Sequence, residues 1–308
     1  MLSELLKLEL IMTLLILVGG VMRYRGKITD AGRECLTNVL IDAILPCNII
    51  VSFMGQGGIE TLMKSLPVVA LSLVVIVMSV LVGNLLFRRF RPESRVLARY
   101  GMISSNSVFI GLPVVQSLFG DYGALLQSLY MIFIRSFMWS YGMSLFTGKS
   151  GDLKETIRRT LKHPCVIAVE IGILIMLFDI PVPGVISRTM NYFNVCMMGM
   201  SMLLIGSILF GMSLENLFRP DVWWFNFTRL ILAPAVTLLI CVLLKTDYYI
   251  TAVVVLMTAM PCGSLAAVMA AKYDADVQYG SLIVATSTIV GTVTIPIWFL
   301  IIQKVYGM

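Results

Sequence analysis

Apolar stretches long enough to cross a bilayer follow one another along this chain with very little between them. A spanning helix takes about 20 mostly apolar residues. Ten such stretches stand out, at roughly 5–22, 33–54, 65–87, 97–119, 122–146, 164–180, 184–210, 222–245, 249–271 and 277–302. Of the 308 residues, 58% are hydrophobic and 13% are charged. A soluble domain carries about 25% charged residues. So few charges cannot cover a water-exposed surface, which excludes an ordinary cytosolic enzyme, a disordered chain and a secreted disulfide scaffold. In a bilayer, lipid tails replace the polar shell. The pattern predicts an all-α integral membrane protein with ten transmembrane helices.

The basic residues fix an orientation. With the N-terminus outside, sixteen of the 23 Lys and Arg fall in or beside the inner loops, and five on the outer side. The inner set is densest around Arg23–Arg33, around Arg88–Arg99 and in 147–163, which holds Lys149, Lys154, Arg158, Arg159 and Lys162. Basic residues favour the cytoplasmic side. The bias places both termini outside, in a multi-pass protein of the cell membrane. The net charge of +6 is therefore a topology signal spread over short loops, with no stripe for nucleic acid. Residues 1–146 and 164–308 form two halves, joined by a short cytoplasmic linker at 147–163.

Smaller features have plain readings. No two of the six cysteines form a C-x-x-C pair, and they read as small buried hydrophobes, with no metal site or cofactor. Glu4, Lys7 and Glu9 near the start fit a first span better than a cleaved leader. His163, before Pro164, reads as an interfacial residue. Trp223 and Trp224 read as membrane-interface anchors. Met197–Met202 reads as helix packing. Asn226-Phe-Thr228 matches a glycosylation acceptor in form, but its inner, membrane-edge position argues against use.

The two halves share an irregularity. Span four contains Ser104-Ser105-Asn106-Ser107 and then Gly111-Leu-Pro113; span nine contains Pro261-Cys262-Gly263-Ser264. Proline removes a backbone donor, and glycine loosens the chain. Such breaks free peptide groups that cost several kcal/mol each in hydrocarbon, so they persist only against protein or a water-filled cavity. Spans four and nine are five apart. Five is odd, so the second half must enter the membrane from the opposite side. Paired interrupted helices in inverted repeats point to a transport site.

At these residues the chain resembles the auxin efflux carrier family, which includes bacterial permeases and the plant PIN proteins. Asn106-Ser-Val-Phe-Ile-Gly111-Leu-Pro113, then Phe119-Gly120, is similar to its Asn-Thr-Leu-Val-Met-Gly-Ile-Pro…Tyr-Gly stretch. Ala259-Met-Pro261-Cys-Gly263, then Ala270-Ala-Lys272-Tyr273, is similar to its Leu-Pro-x-Gly…Ala-Lys-x-Tyr stretch. Leu45-Pro46 and Ile295-Pro296 also match. The resemblance implies ten helices in two inverted five-helix repeats, with broken, crossing helices four and nine. It also implies alternating-access transport of organic anions, and homodimers, since members are often dimers. The long cytoplasmic loop of the plant proteins is absent here.

The substrate-binding candidates are Asn48, Asn106, Gly111, Pro113, Arg135, Pro261, Cys262, Gly263 and Ser264. Asn106 matches the family's span-four Asn, and Pro113 and Pro261 match its crossing prolines; helix–helix hydrogen bonding is the other role for Asn106. Asn191 and Asn194 are weaker candidates. Arg135 lies midway along span five. A charge there is costly and marks a site by default, and a guanidinium pairs well with a carboxylate. The other role for Arg135 is a permanent ion pair with Asp42 or Glu170. Those two carboxylates are the proton-coupling candidates. Arg229 reads as a snorkelling residue near the inner end of span eight.

These residues predict a secondary carrier of organic anions with a midplane site. Met260–Ala271 has no carboxylate, unlike the related bile-acid symporters, so proton coupling or uniport is favoured over sodium symport. No nucleotide-binding G-x-x-x-x-G-K-[ST] and no intramembrane-protease motif is present. A receptor or sensor that keeps the carrier fold remains the alternative, with sodium symport behind it.

Overall fold

The structure is a computed structural model that describes residues 2–54, 58–139, 141–147, 164–210, 217–273 and 275–307. The basic linker, with its five Lys and Arg and His163, lies outside the described residues, as does Asp274. The described residues form helices without strands. In order these are α1 (Leu2–Tyr24), α2 (Asp30–Phe53), α3 (Gly58–Leu86), α4 (Pro92–Ile103), α5 (Leu112–Trp139), α6 (Tyr141–Thr147), α7 (Pro164–Phe178), α8 (Gly184–Leu209), α9 (Pro220–Leu243), α10 (Tyr248–Ala259), α11 (Leu265–Lys272) and α12 (Val277–Val305). Six helical stretches are long and apolar enough to cross a membrane, and α7, α10 and Leu10–Tyr24 of α1 are shorter apolar helices.

Polar side chains set two of the helix starts. Thr29 caps α2 by accepting from the Gly32 N–H at 3.1 Å. Asp247 does the same for α10 through the Tyr249 N–H at 2.8 Å. Gly120, with φ 63° and ψ −152°, separates spans four and five inside α5. A residue with a Cβ takes that conformation only with strain.

The contacts divide the chain into two units that interleave along it. One takes Met1–Pro67, Leu112–Leu129 and Arg158–Gly211; the other takes Val68–Gly111, Tyr130–Ile157 and Met212–Met308.

In the first unit, α1 packs tightly on α8. A Cβ on Gly19 would collide with the Leu203 carbonyl oxygen, and one on Gly206 with that of Ile16. Without a hydrophobic drive between helices in lipid, such small residues let backbones approach and gain dispersion contact. Gly172 of α7 likewise admits the Phe53 ring of α2. Met197 and Met202 are buried, in line with the packing role expected of the Met run. The outer faces keep large apolar side chains, among them Leu14, Leu17, Val18 and Val21 of α1, which suits hydrocarbon and not water.

In the second unit, α10 is buried on all sides from Ile250 to Ala259. A helix apolar all round belongs at a core. Around it α12 turns Thr286, Ser287, Thr294 and Trp298 inward and Ile289, Val293, Ile297 and Ile301 outward. Asn226 is buried and donates to Thr286 at 2.8 Å, which closes it to glycosylation. Trp223 and Trp224 are exposed. Cys165, Cys241 and Cys262 are buried as expected, but Cys35 and Cys196 are exposed. A thiol is apolar enough for an outward face when the surroundings are lipid.

At one end of this unit Arg219 reaches Asp221 at 2.8 Å and Asp276 at 3.2 Å, and Ser94 donates to Asp276 at 3.0 Å. Burial alone would raise the Asp276 pKa. The Tyr279 N–H, the Ser94 hydroxyl and the Arg219 guanidinium outweigh it and hold the pKa below 3.8. A carboxyl depressed by folding stabilises above its unfolded pKa and loses that contribution as pH falls through the folded one. Asp276→Asn is therefore expected to lower thermal stability at pH 7, with the gap to the parent closing only below about pH 4; melts from pH 3 to pH 8 check this. Gly206→Ala is expected to cost about 1–3 kcal/mol in detergent melts. Gly199→Ala, on the same helix in open space, is expected to be neutral.

Candidate functional site

Two helices of the second unit stop and restart where they meet. α4 ends at Ile103, and Ser104 turns extended at φ −95° and ψ 91°. α10 ends at Ala259, and Met260 turns extended at φ −62° and ψ 143°. The released strands pair antiparallel at Ser105 and Cys262. The Asn106 N–H donates to the Pro261 carbonyl at 2.8 Å, and the Gly263 N–H donates to the Ser104 carbonyl at 2.8 Å. The Cys262 N–H donates to Ser287 Oγ at 3.0 Å. Peptide groups freed by the breaks thus satisfy one another, as burial requires.

Small residues make the approach possible. A Cβ on Gly263 would sit 2.9 Å from Ser104 Oγ, and one on Gly111 would sit 2.9 Å from Met257 Sδ. The Ser105 and Ser107 hydroxyls hydrogen-bond to each other. After the crossing, the segment from α4 resumes through a π turn at Ser107–Gly111 and enters α5, while the segment from α10 resumes in α11. The C-terminal ends of α4 and α10, the π turn at Ser107–Gly111 and the first turn of α11 therefore all stand at this place. A helix carries about half a positive charge at its N-terminus and half a negative charge at its C-terminus.

The expected residues gather unevenly. Asn106, Gly111, Pro261, Cys262, Gly263 and Ser264 all stand at or beside the crossing. Asn106 is 5% exposed, and its side-chain amide has no hydrogen-bond partner among the described residues. Arg135, half-buried, lies on α5 in the same unit. The break in span four differs from the expected place. It falls at Ser104–Asn106, and Pro113 is the second residue of α5, buried in the first unit. Proline is tolerated in a first helical turn, where its N–H has no intrahelical acceptor. Gly111 marks the close approach, and Pro113 follows it without interrupting the chain.

Asn48 lies in the first unit and is 0% exposed. It donates to Gln116 Oε1 at 2.9 Å and to Asn194 Oδ1; Gln116 donates to Asn194 Oδ1 at 3.1 Å and to Asp121 at 3.3 Å. Asn48 Oδ1 meets no donor among the described residues. Sequence reasoning passed over Gln116. A lone amide in the run Val114-Val115-Gln116 was the available signal, since an amide in an apolar helix needs a polar partner. Asp42 and Glu170 are exposed on α2 and α7 of this unit, Asp42 within a π turn at Leu40–Ile44.

Arg229 overturns the snorkelling expectation. It is 3% exposed, and its guanidinium donates through Nε to the Met260 carbonyl at 3.0 Å and through Nη1 to the Met102 carbonyl at 2.6 Å. Its position near a helix end suggested an escape to water, but α9 turns it onto the crossing. Beyond it, Pro234 has no N–H for the Leu230 carbonyl four residues back; Trp298 Nε1 donates to that oxygen at 2.7 Å. Trp298→Phe is expected to cost about 1–3 kcal/mol by orphaning it. The loss should shrink on a Pro234→Ala background, read by a double-mutant cycle of detergent melts.

With this geometry in place, likeness to known proteins becomes informative. The chain matches a family described as "Membrane transport protein" over residues 8–299. It is 25% identical over 292 residues to an "Uncharacterized transporter" of Methanothermobacter thermautotrophicus, covering 94% of this chain and 95% of the relative. The chain therefore belongs to the membrane transport protein family of auxin efflux carriers and is a multi-pass membrane protein of a transporter family.

Proposed function

We propose that the chain is a secondary carrier of organic anions bearing at least one carboxylate, which works by alternating access with the solute at the crossing. The backbone bridge between Ser104–Asn106 and Pro261–Gly263 carries this reading. Two broken segments, one from each half of the sequence, meet by main-chain bonds where resumed helices begin. Those helix beginnings attract anions, and the Asn106 amide beside them offers two donors and an acceptor. Arg135 supplies a guanidinium suited to a carboxylate.

In this reading, ten spans form two inverted five-helix repeats, residues 1–146 and 164–308, with both termini outside. The matching positions of the two breaks, each after a helix of 12 residues, and the excess of Lys and Arg in alternate loops support it. The chain moves its solute without chemical change and acts as a carrier, not an enzyme. Asp42 or Glu170 takes up a proton during the cycle; both are exposed carboxylates on helices that the composition places in the membrane.

A thermal-shift screen of mono- and dicarboxylates on purified protein tests the solute class, since a ligand selective for the folded state raises its stability. Flux of the hits into proteoliposomes then separates a carrier from a receptor. Arg135→Ala is expected to abolish that uptake while the protein still inserts; normal flux would remove Arg135 from the site. Asp42→Asn is expected to change the pH dependence of uptake, and an unchanged profile would pass the proton role to Glu170 or to uniport.

A further inference from the structure

Arg229 has an unusual setting. It is nearly inaccessible, yet among the described residues no carboxylate forms an ion pair with it. A buried charge left unanswered is strongly destabilising. Here the answer comes from backbone. Met102 is the next-to-last residue of α4, and Met260 follows the last residue of α10. Both carbonyls belong to the helix ends where the partial negative charge collects. Each helix has 12 residues, enough to develop that end charge. The two ends converge on one buried place and repel. One planar cation, with donors fixed in a fork, touches both.

We infer that Arg229 is a positioning residue that acts as the built-in counter-cation of the crossing, holding the carbonyl ends of α4 and α10 together by charge, so that its removal leaves an oxygen-lined gap needing a small monovalent cation. With these two ends neutralised, the beginnings of the resumed helices set the local field, and that field is positive. This charge pairing belongs to the crossing itself, whatever the solute. It also gives the absence of a carboxylate in Met260–Ala271 a physical counterpart, because the place where oxygen ligands converge already holds a fixed positive charge.

The test uses full-length, solute-free protein in detergent, with thermal unfolding as readout, so it can fail while the carrier reading stands. Arg229→Lys keeps the charge and loses the fork; Arg229→Gln keeps amide donors and loses the charge. If charge holds the ends, Arg229→Gln melts roughly 5–10 °C below the parent, and Arg229→Lys stays closer to it. Arg229→Ala should regain stability in millimolar guanidinium chloride, or in sodium chloride, beyond choline chloride at equal ionic strength, while the parent responds to none of them selectively. A Gln variant as stable as the Lys variant would overturn the proposal, as would an Ala variant that responds equally to guanidinium, sodium and choline. Sodium-selective stabilisation of the parent would overturn it too. If the Ala variant cannot be purified, the Lys and Gln comparison decides alone.

Discussion

A peptide group inside a bilayer has no water to fall back on, so a helix that stops there must find another partner for every donor and acceptor it releases. The second unit solves this by stopping two helices at the same place. Each supplies what the other lost, through the N–H of Asn106 and the carbonyl of Pro261 in one direction, and the N–H of Gly263 and the carbonyl of Ser104 in the other. Ser287 and Arg229 complete the account from neighbouring helices. Everything that makes the region interesting for a solute follows from that pairing. It collects helix ends and leaves the Asn106 amide without a hydrogen-bond partner among the described residues.

The same demand explains the smaller irregularities. Prolines at 46, 113 and 234 each follow a widened π turn, at Leu40–Ile44, Ser107–Gly111 and Thr228–Leu232. Proline cannot give an N–H to the preceding turn, and a widened turn shifts the pattern of donors around it. Where a carbonyl still needs a donor, a side chain serves, as Trp298 does for Leu230. These helices are bent by local chemistry that a neighbouring helix completes, not by looseness.

Much of this was legible in the amino-acid order. The apolar runs mark the helices because lipid demands them, and Pro261-Cys262-Gly263 marks a break because no helix interior tolerates that sequence well. The first break was harder. Ser104-Ser105-Asn106 contains nothing that forbids a helix, and only the partner strand draws it into an extended form, so Gly111 and Pro113 are the stronger break signals in the sequence. The setting of Arg229 is hidden from the sequence for a similar reason. Its distance from a helix end is local information, while the direction it faces depends on how α9 packs. Gln116, Asn48 and Asn194 come from three separate helices, and no spacing along the chain announces that they touch. The division into two interleaved units is likewise a property of packing.

A contact made by main chain is indifferent to the side chains that hang from it. The backbone pairing at Ser105 and Cys262 does not itself depend on a hydroxyl or a thiol, although the tight packing around Cys262 admits only a small side chain there. Chemistry of recognition and architecture of support are thereby free to drift apart in evolution.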